Sequence, residues 1–238
     1  MILIYTLIFA TILSLVFTLS IKNSYRFYYL VSLLIAIITT VYEVLRITSN
    51  AKLYGTFLYI EKVSMRGYIS IAFFILVMFV GALNTKWVIT KKLLSIRAKL
   101  AIIASILIIP HCIMYFARFI LLKLPKIIKT GIIPKIYIGY ITVGIIAFII
   151  MLPLFITSFN KVRRKMKGTQ WRNLQRVAYI FYFLIYIHIL LIILNEKEMD
   201  WLKLIIYTTI FGVYTILRLT KYKNSRQAKS SYMRREMI

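Results

Sequence analysis

Seven runs of apolar residues, at roughly 2–20, 28–46, 67–84, 97–119, 133–157, 173–194 and 201–218, take up most of this 238-residue chain. A helix needs about 20 consecutive apolar residues to cross a bilayer. Most of the runs have that length, and nearly all charged residues fall between them. With 61% of residues hydrophobic, no water-soluble core could bury the chain, so lipid is the solvent for most of it. In lipid a backbone must satisfy its own polar groups, and runs of this length do so as helices. The expected fold is an all-α integral membrane bundle of six to seven transmembrane helices. The first run is the marginal one, and the stretch from Ala51 to Tyr59 reads as interfacial. That first run lacks a basic leader and a small-residue cleavage site, so it is expected to be a retained helix.

Thirty-two Lys and Arg against six Asp and Glu give a formal charge of +26. Such a balance can mark a nucleic-acid binder, but that requires a water-facing basic groove, and here the cations sit in short clusters between apolar runs. One cluster is Lys86, Lys91, Lys92, Arg97 and Lys99. A second runs from Lys161 through Arg163, Arg164, Lys165, Lys167 and Arg172 to Arg176, and a third occupies the tail. Glu196, Glu198 and Asp200 mark the opposite side. The positive-inside tendency then puts the C-terminus in the cytoplasm, with Lys123, Lys126, Lys129 and Lys135 as dissenters. No nucleic-acid partner is expected; anionic membrane lipid is. The chain divides into N-terminal membrane helices (1–65), a core (66–195), a final transmembrane helix (196–219) and a basic, disordered cytoplasmic tail (220–238).

The only histidines, His111 and His188, both lie inside apolar runs. His111 is fourteen residues beyond Arg97 and His188 sixteen beyond Arg172. At 1.5 Å per residue these are roughly 21 and 24 Å from the same membrane face. Intramembrane imidazoles are costly unless something satisfies them. A neighbouring helix can do so through a hydrogen bond; a haem iron shared by the two rings is the functional alternative. Zinc fits less well, since only Cys112 adds a donor, and that lone cysteine reads as a small space-filler. Tyr115 and Arg118 follow His111 at i+4 and i+7 and so share its helix face. Arg118 is placed either to meet a haem propionate or to snorkel to the interface. Pro110 removes a backbone hydrogen bond just before the histidine. Glu43 and Arg46 form an i,i+3 couple read as mutual neutralisation.

The stretch Leu154–His188, LFITSFNKVRRKMKGTQWRNLQRVAYIFYFLIYIH, resembles the ferric reductase-like transmembrane family. Thr157, Ser158, Trp171, Leu174, Arg176, Tyr179 and His188 stand at the places of its Thr-Ser turn, basic loop, Trp-x-x-Leu-His-Arg opening and later histidine. GYISIAFFILVMFVGALN from Gly67 and SIRAKLAIIASILIIPH, ending at His111, are also similar to it. The outline resembles that of the haem-binding membrane subunit of the periplasmic methionine sulfoxide reductase system. One departure matters: the family's first histidine of that later helix is Gln175 here, and no histidine stands near Arg97 or Ala98. The resemblance therefore implies a single b-type haem with His111 and His188 as axial ligands and Tyr115 and Arg118 beside it.

The function implied is electron carriage across a bacterial plasma membrane toward an external acceptor. The donor would be a flavin reductase or a quinol, because no flavin or nicotinamide domain is expected in the chain itself. Two other classes stay open: a small-molecule transporter or channel subunit with histidines lining a polar path, and a cofactor-less membrane interaction protein.

Overall fold

A computed structural model describes residues 1–49 and 52–236, with side chains through Gln227. All regular structure among the described residues is helical: α1 (Ile2–Val16), α2 (Thr18–Asn23), α3 (Tyr25–Thr48), α4 (Gly55–Met65), α5 (Tyr68–Ala82) and α6 (Val88–Arg118). A π-helical turn (Phe119–Lys123) follows, then α7 (Leu124–Thr130), α8 (Lys135–Ile156), α9 (Asn160–Arg163), α10 (Gly168–Arg176), α11 (Ala178–Leu194) and α12 (Trp201–Glu236).

The protein is an all-α integral membrane bundle. Among the described residues, five helical stretches are long and apolar enough to cross a bilayer: 25–48, 88–130, 135–156, 168–194 and 201–227. A sixth arises if α4 and α5, bent by 50° at their junction, count as one broken span. Of the six to seven expected, six are reached with the bent pair counted, and the marginal first run is not among them. Its helix stops at Val16 and restarts at Thr18, and 15 residues reach only about 22 Å at 1.5 Å each. Thr18 Oγ1 turns back to the carbonyl of Ser14 at 2.7 Å, satisfying an acceptor beside the break. Of the stretch expected to lie at the interface, 55–59 opens α4, and Ala51 lies outside the described residues. Where the basic tail was expected to be disordered, α12 continues from Trp201 to Glu236, and 237–238 lie outside the described residues.

α3 displays the inversion that lipid imposes. Its buried positions, Ser32, Ala36, Thr39 and Glu43, recur at four- and three-residue spacing and are small or polar. Leu34, Ile38, Val41 and Leu45 face outward. Small residues let helices approach closely where no hydrophobic effect drives them together, and polar ones bond across the contact. α5 is buried all round, from Ala72 through Phe73, Phe74, Ile75, Leu76 and Val77 to Val80. It is the central post against which α1, α6 and α12 pack. Ser70 on α5 donates to the Ala104 carbonyl of α6 at 2.6 Å. α8 and α11 lie along each other and close the bundle on the α6 side.

Candidate functional site

His111 projects from α6 directly after Pro110, and α6 runs unbroken through that proline. Its Nδ1 lies 2.9 Å from the carbonyl oxygen of Met65, the last residue of α4. His188, on α11, places its Nδ1 2.8 Å from the carbonyl oxygen of Tyr140 on α8. A carbonyl only accepts, so in both rings Nδ1 is the protonated nitrogen and donates. In the neutral ring, the form an apolar setting favours, Nε2 then keeps its lone pair. That is the tautomer a metal takes, with ring orientation fixed through the other nitrogen.

The two rings lie 6.3 Å apart, centre to centre, with their planes crossed at 84°. A nitrogen-bound metal sits about 2 Å from each imidazole nitrogen, and each nitrogen is roughly 1 Å from its ring centre. Two rings on opposite sides of one ion therefore stand about 6 Å apart. The donor set thus fits one ion held by two imidazoles with the remaining positions filled by the ion's own ligand, as in a haem. Among the described residues, no three His, Cys, Asp or Glu side chains gather that could hold a bare ion.

Two glycines make room for the rings. A Cβ on Gly144 of α8 would stand 2.9 Å from Cε1 and 3.0 Å from Nδ1 of His188. Gly67, at the α4–α5 bend, adopts φ +76°, a left-handed conformation that suits glycine. A Cβ there would meet Ile108 Cδ1 at 2.9 Å and His111 Nδ1 at 3.7 Å. The same residue thus turns the chain and lets the Met65 carbonyl reach the histidine.

Tyr115 packs on His111 with ring centres 4.6 Å apart, and the Arg118 guanidinium lies 5.7 Å from the Tyr115 ring. Arg118 does not hang free at the helix end: it is ion-paired with Glu43 of α3. Glu43 also takes Arg46 at 2.9 Å, so the expected couple is a three-membered cluster spanning two helices. Tyr140 adds a ring 6.0 Å from His188. Gly67, Gly144, Met65 and Tyr140 went unnoticed in the sequence; two act through backbone carbonyls, which leave no side-chain signature.

At the other end of the bundle the departure from the family pattern has a structural counterpart. Gln175 donates through Nε2 to Thr157 Oγ1 at 3.2 Å, and Trp171 Nε1 donates to the Thr157 carbonyl at 3.2 Å. Arg97 donates through Nε to the Val77 carbonyl at 2.9 Å, its guanidinium against Gly81. Cys112, beside His111, is half-buried and unpaired among the described residues.

The family model for ferric reductase like transmembrane components matches residues 66–194, the span that carries both histidines, both glycines and the Thr157–Trp171 corner. An uncharacterized protein of Treponema pallidum is 33% identical over 144 residues, covering 58% of this chain and 38% of its own. The protein-methionine-sulfoxide reductase heme-binding subunits MsrQ of Azospira oryzae and Herminiimonas arsenicoxydans are 35% identical over 74 residues and 32% identical over 80. Those matches cover 31% and 34% of this chain and 30% and 36% of the subunits, so the chain spans between 30% and 38% of the length of these relatives. No solved structure matches. With more than half of its length matched, the chain belongs to the family of ferric reductase like transmembrane components.

Proposed function

We propose that this protein is a membrane b-type haem protein that carries electrons toward an external acceptor, with one haem held between His111 and His188. The observation that carries this reading is the pair of Nδ1–carbonyl bonds, which leave two Nε2 lone pairs on rings 6.3 Å apart. An imidazole that needed only a hydrogen-bond partner would be satisfied by the carbonyl alone. Two such rings, each oriented by a carbonyl and left with a bare acceptor in an apolar setting, are arranged for something between them. Two of the matched relatives are named heme-binding subunits.

When bound, the haem supplies a one-electron carrier. The protein's part is binding and orientation: two neutral ligands, fixed tautomers, glycines that admit the rings, and an apolar shell that keeps water off. His111 and His188 would both hold the group, leaving no open position on it for substrate. Tyr115 and Arg118 lie on the His111 side and are the side chains we assign to its surroundings. Gln175 and Arg97, tied to Thr157 and Val77, leave no second ligand pair on the side of the basic loops. A flavin reductase or quinol as donor, a separate external acceptor, surrounding lipid, and a cytoplasmic C-terminus in a bacterial plasma membrane complete the reading.

Absorption spectra of the purified protein, oxidised and dithionite-reduced, test it. The expected result is a Soret band with sharp reduced bands, lost on His111→Ala and on His188→Ala. A wild type expressed with ample haem yet lacking a Soret band would overturn it.

A further inference from the structure

Among the described residues, Glu43 and Glu61 are the two buried carboxylates, and the structure treats them unequally. Glu43 is 1% exposed and takes both guanidinium contacts, from Arg46 and Arg118. Glu61, on α4, is 8% exposed, and α4 meets α3 beside it: Thr39, one turn before Glu43, donates to Ser64, one turn after Glu61, at 3.4 Å. Oε1 of Glu61 is buried without a hydrogen-bond partner. The charged groups near it are Glu43 and Arg46 of α3 and Arg118 of α6. The nearby cations are thus engaged by the other carboxylate. An ionised, unpartnered carboxylate oxygen beside a second carboxylate is a costly thing to bury. One proton removes both penalties, because it cancels the like-charge repulsion and converts an acceptor-only group into a donor.

We propose that Glu61 and Glu43 form a proton-binding site, holding one proton between them, beside the His111 end of the candidate electron path. α4 links the two places: Met65, one helical turn beyond Glu61, gives the carbonyl that orients His111. Tyr115 bridges from the His111 ring to Arg118. A proton held here offsets negative charge that arrives between the histidines when one electron is added. This coupling rests on the haem reading; the proton site itself does not.

Infrared spectroscopy of the purified full chain at neutral pH tests the site. The chain has only six acidic side chains, so a carboxylic-acid carbonyl band has few owners. Wild type should show one such band, shifted in D2O and absent from Glu61→Gln, with the thermal transition of that variant unchanged. Glu43→Gln should abolish it too, since Glu61 then inherits the two guanidiniums and ionises. A wild type without the band, or a band that survives Glu61→Gln, overturns the proposal. In haem-loaded protein titrated with dithionite, the midpoint potential should fall as pH rises in wild type and flatten in Glu61→Gln. A flat wild-type profile overturns the coupling. Failure to bind haem would sink the haem reading alone, because the infrared result needs none.

Discussion

Gly144 and His188 meet so closely that a methyl group on the glycine would stand 2.9 Å from the imidazole Cε1. The contact joins α8 to α11 at the height where the Tyr140 carbonyl fixes the same ring. Gly144→Ala should therefore push His188 off that carbonyl and away from His111. Overpacking of this kind costs about 1–3 kcal/mol, set against a gain of about 1 kcal/mol in helix propensity. Fold stability should change little, while haem content falls at least several-fold by pigment assay. Gly212→Ala, on α12 with nothing within 4 Å of its added carbon, is the control and should retain full pigment.

Glu43 pairs with two arginines, so removing it breaks both contacts and leaves Glu61 as the carboxylate near them. Glu43→Ala should destabilise the protein by about 3 kcal/mol, the low end for breaking a buried pair, because Arg46 is 44% exposed and can turn to solvent. Denaturant titration in detergent micelles reads this. A loss below about 0.5 kcal/mol would place the cluster among surface ion pairs of little consequence.

Asp200 caps α12. Its Oδ1 accepts the Lys203 backbone N–H at 2.9 Å and its Oδ2 pairs with the Lys203 ammonium at 3.2 Å. The backbone bond and then the ammonium hold its carboxyl below the ordinary value of 3.8. A depressed folded-state pKa means the cap is fully present above that ordinary value and is lost as pH falls through the lower one. Amide exchange of Leu202, Lys203 and Leu204, compared with the middle of α12, should show fraying only in that acid range. Fraying that begins near neutral pH would rule out Asp200 as the cause.

The long spans were legible because apolar runs of membrane length have few structures open to them in lipid. The matched depth of His111 and His188 was legible from residue counting alone, and the structure brings their rings together. The break at Phe17 was not, since the run 2–20 is continuously apolar and the helix ends within it. Nor was the helical course of the tail, where polarity argued for disorder but helix continuation from α12 prevailed. Arg118 and Glu43 lie 75 positions apart, and their pairing depends on how α3 and α6 cross. Glu61 gave a signal that composition alone could have raised, an acid next to an apolar run, yet its meaning needs Glu43 beside it.

The most direct measurement is haem stoichiometry with absorption spectra for wild type, His111→Ala, His188→Ala and Gln175→Ala, purified side by side. The account predicts one haem per wild-type chain, loss or gross alteration of the spectrum in each histidine variant, and most pigment retained in Gln175→Ala. Full pigment in either histidine variant, or none in wild type, would contradict it.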